Sequence, residues 1–485
     1  MPNSHEIPAL FSGCLPNSNI FTTAEKCRPY ECDAFTAYKT LPLAVLIPES
    51  VSQVVDIIKR SQQLKIPIVT RGAGTGLSGG AHPISDGILL NLSKLNQIHE
   101  INPELQFARV GPGVRNLAIS EAAKKFGLYY APDPSSQIAC TIGGNIAENS
   151  GGVHCLKYGL TVHNILEVTF VTIDGDIITI GSECYENSGY DLLALLTGSE
   201  GMLGIMIEAK VKLLPRPDQK EVILAAFNSV EDAGHAVAEI IANGVIPAGL
   251  EMMDNAIIRA TENFCQAGYP TESEAILLCE LDGYEDSLQW EIEQVEKQCL
   301  RFNATSVRKA NNAIEQELFW KGRKSAFPAV GQLTPDYLCM DGTIPRKHLA
   351  YVLGEITKLS KEFGLAVANV FHAGDGNLHP LIMYDANIPD DLQKAERIGE
   401  KILDLCVSVG GTITGEHGVG IEKLNLMCVQ FNRKELDQFE RLKKAFDPET
   451  LLNPGKVIPT LQRCAEFGAM HVHNNETPFK DLPRF

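Results

Sequence analysis

The sequence predicts an α+β protein with two main domains, each of which combines strands with helices. The chain has 485 residues, of which 44% are hydrophobic, and this is more than one ordinary domain needs. Strand-like and helix-like segments alternate from Ala44 onward until the proline-containing segment 213–217 interrupts the pattern. A second region of strands and helices starts at Glu221. The predicted parts are a helical lead-in (1–38), a first domain (39–217), a second domain (218–458) and a tail (459–485).

The first domain begins with a strand, a helix and another strand. Residues 44–47 are all apolar and predict a buried strand. Apolar residues between Val51 and Leu64 recur at the spacing of one helix face, and Ser50 is a suitable N-cap. Residues 66–70 predict the next strand, which leads directly into a glycine-rich loop.

Later segments continue the α+β pattern. The dipeptide Asp174-Gly175 predicts a hairpin turn between two strands. Further strands are predicted at 87–91, 108–110, 167–173, 176–180 and 221–226. Helices are predicted near 230–243, 285–301 and 433–446.

Composition and charge exclude several classes of protein. The net charge of −18 argues against a nucleic-acid partner, and the chain has no basic run. The 13 cysteines form no Cys-x-x-Cys pair, which excludes the usual iron–sulfur and structural zinc spacings and suits a reducing compartment. No apolar run approaches the ~20 residues that span a bilayer, and no signal peptide is recognisable. We expect a soluble cytoplasmic protein, and peripheral attachment to a membrane through a partner stays open.

The most informative motif is the glycine-rich loop Arg71–Gly80. Part of it, Gly74 to Gly79, matches the G-x-G-x-x-G pattern of dinucleotide-binding folds. That fold requires a helix directly after the loop, whereas the proline and glycine within 81–87 deny one. The loop instead predicts a concave backbone nest that can bind an anion such as a pyrophosphate.

Two more glycine clusters lie in the same predicted domain. The segment 132–136 leads to the glycines of 141–145 and 149–152, and another cluster spans 197–204. Three separate clusters in one domain indicate that several loops contact one extended ligand. A cofactor of the length of FAD has the required extent.

These motifs resemble those of the FAD-binding oxidases of the vanillyl-alcohol oxidase/p-cresol methylhydroxylase (PCMH) type. The resemblance runs from about residue 40 to 457, nearly the whole chain. It depends on the segments 71–80, 132–134, 141–144, 198–201, 203–205 and 453–456. Within this family the chain is most similar to the FAD subunits of glycolate oxidases (glycolate dehydrogenases), beside D-lactate and D-2-hydroxyglutarate dehydrogenases.

The resemblance implies a PCMH-type FAD-binding domain of two α+β subdomains, followed by a C-terminal α+β FAD-linked oxidase cap domain. It also implies that the glycine loop binds the FAD pyrophosphate and that the later loops hold adenine and ribitol. The predicted cofactor-binding residues are Arg71, Gly72, Gly74, Thr75, Gly76, Gly79, Gly80, Pro132, Asp133, Thr141, Gly143, Gly144, Gly151, Glu200, Gly204, Ile205 and Asn453.

We expect FAD to be bound without a covalent bond. Some relatives tether the flavin through a histidine in the glycine loop, but this loop contains none, and His82 lies just outside it. His154 and Cys155 are alternative tethers, although ordinary packing is the better interpretation of both residues.

A second cluster of polar residues predicts a metal site. The turn 374–377 lies between short apolar segments, and if these pair as a hairpin, His372 lies opposite His379 with Cβ atoms ~5 Å apart. Two imidazoles at that distance can bind one divalent ion, and Glu416 is the predicted third ligand, which leaves positions open for substrate. The resemblance supports the same site. Zinc is the expected metal, and manganese, iron and cobalt remain alternatives because such ligands discriminate poorly.

The predicted reaction is the oxidation of a small 2-hydroxy acid by hydride transfer to FAD. His417, which follows Glu416, is the predicted general base. Arg323 is the predicted clamp for the substrate carboxylate, and its alternative interpretation is a residue on a solvated helix face.

The substrate prediction depends on one position. Relatives that use dicarboxylates place a lysine two residues before the aspartate of Asp-x-x-x-Pro, where this chain has Cys339 before Asp341. A second cationic anchor is therefore missing, which favours glycolate or D-lactate over 2-hydroxyglutarate.

The electron acceptor is predicted to be a partner. The chain has no iron–sulfur ligand run and no haem Cys-x-x-Cys-His motif, whereas related glycolate oxidases use a second FAD-like subunit and an iron–sulfur subunit. The tail from Cys464, with His471 and His473, is expected to dock a partner or lie on the surface. Two alternatives stay open: a D-lactate dehydrogenase, and a non-catalytic FAD-binding assembly subunit, which should lack the metal set.

Overall fold

The computed structural model describes residues 2–183 and 189–459. The strands are β1 (Ile20–Phe21), β2 (Ala44–Leu46), β3 (Ile68–Arg71), β4 (Ile88–Asn91), β5 (Ile98–Asn102), β6 (Phe107–Val110), β7 (Leu128–Tyr129), β8 (Ile165–Val171), β9 (Ile177–Gly181), β10 (Ile205–Lys212), β11 (Leu214–Pro215), β12 (Gln219–Phe227), β13 (Gly249–Asp254), β14 (Ala275–Gly283), β15 (Ser306–Lys309), β16 (Asp336–Cys339), β17 (Val367–Phe371) and β18 (Pro380–Tyr384). The helices are α1 (Ile7–Leu10), α2 (Ala24–Cys27), α3 (Val51–Leu64), α4 (Asn116–Ala123), α5 (Ile142–Glu148), α6 (Cys155–Tyr158), α7 (Leu192–Leu196), α8 (Val230–Ala242), α9 (Asn255–Cys265), α10 (Glu285–Arg301), α11 (Ala313–Lys324), α12 (Ala326–Val330), α13 (Leu349–Phe363), α14 (Asp391–Ser408), α15 (Met427–Gln430) and α16 (Arg433–Phe446).

The first subdomain is a sheet in the order β1-β2-β4-β3, in which only β1 is antiparallel to its neighbour. Helix α3 has the predicted bounds, and the hydroxyl of Ser50 accepts a hydrogen bond from the backbone N–H of Gln53 at 3.3 Å. Its buried residues Val54, Ile57 and Ile58 pack in one core with the strands of this sheet.

The second subdomain is an antiparallel sheet in the order β5-β6-β10-β8-β9. The predicted hairpin joins β8 to β9, and Gly175 at its turn has a φ of 81°, which glycine adopts without strain. The two α+β subdomains that the sequence predicted are therefore both present.

The cap is an antiparallel sheet in the order β15-β12-β14-β13-β17-β18-β16. Successive residues of β12 alternate between its two faces, as the two-residue period of a strand requires. Ile223, Ala225 and Phe227 pack with α8, α10, α13 and α14, whereas Val222 and Leu224 pack with α9, α11 and α12. Helices therefore cover both faces of this sheet, and the loops at its ends start from a buried core.

The lead-in is less helical than predicted. It contains the four-residue helices α1 and α2, and β1 extends the first sheet by pairing with β2. Near its end, the backbone N–H of Ala34 donates to the carbonyl of Gly76 at 3.1 Å, and Asp33 accepts from the N–H of Ala81 at 3.1 Å. The lead-in thus packs directly against the glycine loop. None of the helices within the described ranges is both long enough and apolar enough to cross a bilayer.

Candidate functional site

A cavity of about 410 Å³ lies between the FAD-type subdomains and the cap sheet. Its volume is within the range of small-molecule and cofactor sites. The glycine loop after β3 forms one part of its lining, and His379, Glu416 and His417 form another. The two regions that the sequence singled out, more than 290 residues apart in the chain, therefore share one cavity.

The glycine loop fits a cofactor that approaches the backbone closely. No helix occurs in 72–87, as predicted. A Cβ on Gly72 would lie 2.1 Å from the hydroxyl oxygen of Thr141, and Gly74 has a φ of 73°, so both positions favour glycine. The Thr141 hydroxyl is buried on the cavity wall without a hydrogen-bond partner among the described residues. A buried polar atom of this kind is normally satisfied, and a bound cofactor would supply its partner.

Most of the predicted cofactor-binding residues line this cavity. Those on the wall are Arg71, Gly72, Gly74, Thr75, Gly76, Gly80, Thr141, Gly143, Gly144, Glu200, Gly204 and Ile205. The other predicted residues are not part of the cavity lining: Gly79, Pro132, Asp133, Gly151 and Asn453. Contact between FAD and these residues stays a prediction.

Asn453 connects the glycine loop to the 197–204 loop by hydrogen bonds on the side away from the cavity. Its side-chain amide donates to the carbonyls of Gly80 at 3.0 Å and Glu200 at 2.7 Å. Lys456 donates to the same Gly80 carbonyl at 2.8 Å. Burial lowers the pKa of Lys456 to about 7. The Asn453–Lys456 motif therefore ties the end of the cap to the glycine loop.

Gly151 is one of the places where the two halves of the protein pack closely beside the cavity. A Cβ there would lie 2.4 Å from a carboxylate oxygen of Glu416. The absence of a side chain lets the Glu416 carboxylate approach the first domain.

The predicted hairpin exists, but its predicted register is wrong. Asn369 pairs with Pro380, so that His372 lies opposite Asn377 and not opposite His379. The chain turns over residues 373–376, one position earlier than predicted, with Gly376 at a φ of 83°. A Cβ on Gly376 would lie 2.1 Å from the carbonyl oxygen of Ile344, so contact with the neighbouring loop fixes this turn.

The three predicted metal ligands nevertheless converge. The imidazole centroids of His372 and His379 are 5.1 Å apart. One oxygen of Glu416 lies 3.2 Å from Nε2 of His372 and 2.9 Å from Nε2 of His379. Burial opposes ionisation of Glu416, but the two histidines hold its pKa well below the usual range. Two imidazole nitrogens and one carboxylate within 4.8 Å of one another are a donor set that fits a divalent ion.

His417 lies beside this group on the cavity wall. Its ring stacks on His379, with centroids 4.9 Å apart and planes 3° from parallel. Its Nε2 is 3.9 Å from Glu416, beyond hydrogen-bond distance. Burial lowers the pKa of His417 to about 4. His379, His417 and the thiol of Cys339 form a second, overlapping set of potential ligands.

Arg323 is neither on the cavity wall nor on a solvated helix face. Its side chain is 1% exposed, and its Nε donates to Glu251 at 2.7 Å. Nη2 lies 2.6 Å from the same oxygen as an ion-pair contact, and neither Nη1 nor Nη2 donates a hydrogen bond to the described residues. The cation that lines the cavity at this point is Lys324. The carboxylate clamp at Arg323 stays a prediction.

Two family descriptions match this chain. The FAD binding domain family matches residues 42–181, and the family of FAD linked oxidases, C-terminal domain, matches residues 216–457. The chain belongs to the FAD-linked oxidase family. The glycine loop lies in the first matched segment and the His/Glu group lies in the second, so each family segment provides part of the cavity lining.

Named relatives agree with this assignment. The glycolate oxidase subunit GlcD of Escherichia coli (strain K12) is 59% identical to this FAD-linked oxidase over 97% of this chain and 94% of that protein. A D-lactate dehydrogenase of Archaeoglobus fulgidus is 33% identical over 88% of this chain and 96% of that protein. The crystal structure of p-cresol methylhydroxylase with substrate bound has the same fold, with a TM-score of 0.80, 17% identity, and coverage of 94% of this chain and 97% of that chain. The predicted family, fold and FAD cofactor are confirmed.

The sequence patterns did not reveal what holds the 414–417 loop of this FAD-linked oxidase in place. Asp341 is fully buried, and its carboxylate accepts hydrogen bonds from six groups at shortest distances of 2.6 to 3.1 Å. The donors are the backbone N–H groups of Gly415, Glu416 and His417, the Thr414 hydroxyl, the Asn377 amide and the Lys423 ammonium. Burial acts to raise the pKa of Asp341, but Lys423 and the nearby histidines keep it below the usual range. Its place in the Asp341–Pro345 motif was the available signal.

Proposed function

We propose that this FAD-linked oxidase is the catalytic subunit of a glycolate oxidase, which oxidises glycolate to the 2-oxo acid. The observation that carries the proposal is the shared cavity, whose lining includes both the cofactor-type glycine loop and His379, Glu416 and His417. The 59% identity to the Escherichia coli glycolate oxidase subunit supports the substrate. D-lactate is the second candidate substrate, and the similarity to a D-lactate dehydrogenase favours it.

We propose that FAD is bound non-covalently. When bound, FAD supplies the acceptor for the hydride that leaves the substrate Cα. The loop 72–80 contains no histidine. The two alternative tethers have other surroundings: His154 is paired with Asp133 at 3.0 Å and Glu280 at 3.2 Å, and Cys155 is buried at 9% exposure.

His372, His379 and Glu416 are the residues that we propose to hold a divalent ion, with zinc preferred for its affinity for nitrogen and carboxylate ligands. Such an ion supplies Lewis-acid chemistry, which lowers the pKa of a coordinated hydroxyl. Glu416 also limits the space on this side of the cavity, because its second oxygen lies against Gly151.

His417 is the proposed general base for the hydroxyl proton. Its ring lines the cavity next to the proposed ion site, and stacking on His379 fixes its orientation. Because no hydrogen bond engages Nε2 within the described chain, that nitrogen is free to accept the proton. Desolvation keeps the imidazole neutral in the absence of a ligand, which is the form that can accept a proton.

Arg323 is the proposed partner of the substrate carboxylate. A buried guanidinium nitrogen without an acceptor is costly, and Nη1 of Arg323 is in this condition within the described residues. A substrate carboxylate that reached this nitrogen would satisfy it. Lys324 on the wall would add positive charge at the same end.

The proposed electron route leads to other subunits, since the relative of highest identity described above is itself named a subunit. A second FAD-like subunit and an iron–sulfur subunit are the proposed partners. Docking through the tail 459–485, almost all of which lies outside the described residues, stays a prediction, as does a peripheral position at the membrane.

The test is the anaerobic absorbance spectrum of the purified protein mixed with glycolate, D-lactate or L-lactate. We expect glycolate to bleach the flavin band at about 450 nm within seconds. Bleaching by D-lactate alone would replace glycolate by the second candidate. A flavin that no 2-hydroxy acid reduces would instead indicate a non-catalytic assembly subunit.

A further inference from the structure

A buried glutamate connects two of the proposed site residues. Glu251 lies on β13, the neighbour of β17, from which the chain leads to His372. One oxygen of Glu251 is 2.8 Å from Nδ1 of His372, and the other is 2.7 Å from Nε of Arg323. The order Arg323–Glu251–His372 is thus a continuous hydrogen-bonded chain that ends at the proposed ion site.

The chain is isolated from solvent. The side chains of Glu251 and Arg323 are each 1% exposed, and that of His372 is 6% exposed. A carboxylate at such a position requires both of its partners, because an unpaired buried charge is strongly destabilising. An apolar side chain would be enough to fill this buried position of the strand. The glutamate therefore has a role other than packing.

The hydrogen bond fixes the tautomer of His372. Since an ionised carboxylate only accepts hydrogen bonds, Nδ1 of His372 must carry the hydrogen that Glu251 accepts. Nε2 is then the atom left to bind an ion. In this structure it donates to the Glu416 carboxylate at 3.2 Å, and a bound ion would take the place of that hydrogen. A carboxylate behind the ring orients such an imidazole for metal binding and increases its basicity.

We propose that Glu251 is a positioning residue, which orients His372 for ion binding while Arg323 balances its charge. This inference rests on the ion site of the proposed function. Glu251 touches neither the cavity nor the substrate, so its effect is exerted through His372. Sequence reasoning could not find it because it lies 121 positions from His372 in no recognisable motif.

The test compares the affinity of the metal-free, FAD-loaded protein for Zn²⁺ and Co²⁺ in the wild type and in Glu251→Gln. We expect about 10–100-fold weaker binding in the variant, the usual effect of losing such a partner, with FAD content unchanged. The ligand-field absorption of the Co²⁺ protein should also change, because the His372 ring is no longer fixed.

The matched control is Glu280→Gln. Glu280 is also a buried strand glutamate, and it is hydrogen-bonded to His154 at 3.2 Å. Its side-chain hydrogen bonds within the described residues include none to the predicted metal ligands. Its replacement should leave ion affinity within twofold of the wild type. If Glu251→Gln does not fold, Glu251→Asp is measured in the same way and should also bind the ion more weakly.

The outcomes separate two failures. A wild type that binds the ions while both Glu251 variants bind them equally well would overturn the positioning role and leave the proposed function intact. If the wild type binds neither ion, the proposed ion site is wrong, and so is the proposed role of Glu251.

Discussion

Replacement of His417 by alanine is expected to lower kcat with glycolate by about 10²–10⁴-fold, the range over which a positioned base contributes, without loss of FAD. The ring lines the cavity, and its Nε2 makes no hydrogen bond in the described structure that substitution would break. The loop itself is held by the backbone N–H of residue 417, which donates to Asp341 at 2.9 Å and remains in the variant. The measurement is steady-state turnover together with the flavin content of the purified variant.

The control for this variant is His235→Ala. His235 is exposed and stacks on Phe302, away from the cavity-lining residues, so its replacement should leave kcat close to the wild-type value. Unchanged turnover in His417→Ala would show that His417 is not the general base. Loss of flavin in this variant would show that the ring supports the cofactor wall instead.

Asp341→Asn is expected to destabilise the protein by about 3–5 kcal/mol, the usual result of leaving one member of a buried ion pair without its partner. Lys423 is fully buried, and its ammonium donates to Asp341 at 3.1 Å. An asparagine amide would also direct two N–H donors toward the N–H groups of residues 415–417, which need acceptors. The measurement is urea unfolding of the FAD-loaded variant and wild type.

The comparison variant is Asp437→Asn, in the exposed i,i+4 pair of Arg433 and Asp437. Exposed pairs contribute little to stability, so the unfolding midpoint should stay near that of the wild type. If both aspartates gave the same small change, the Asp341 carboxylate would not be what holds the 414–417 loop.

Local patterns predicted local structure well. Helix α3 begins and ends where the apolar spacing and the Ser50 cap indicated, and α16 has the predicted bounds, with Asn432 as a capping residue. The helices α8 and α10 and the strand β12 also lie where they were expected. Caps and periodicity are properties of a few adjacent residues, and for this reason they can be recognised in the sequence.

Features that depend on distant contacts were harder to predict. The register of the β17–β18 hairpin is set by the approach of Gly376 to the Ile344 carbonyl, which the turn sequence alone does not reveal. The site residues Glu251 and Asp341 act on groups 121 and up to 82 positions away. The convergence of His372, His379 and Glu416 could be predicted because the two histidines are close in sequence, and the family resemblance supported Glu416 as the third member.

The most direct test of the shared cavity is a crystal structure of the FAD-loaded protein with zinc and glycolate bound under anaerobic conditions, with anomalous diffraction measured at the zinc edge. We predict an anomalous peak within ~2.0–2.2 Å of Nε2 of His372, Nε2 of His379 and the Glu416 carboxylate, with the isoalloxazine ring in the same cavity and glycolate between them. A zinc peak elsewhere, or a flavin ring separated from these three residues by the protein, would contradict the account.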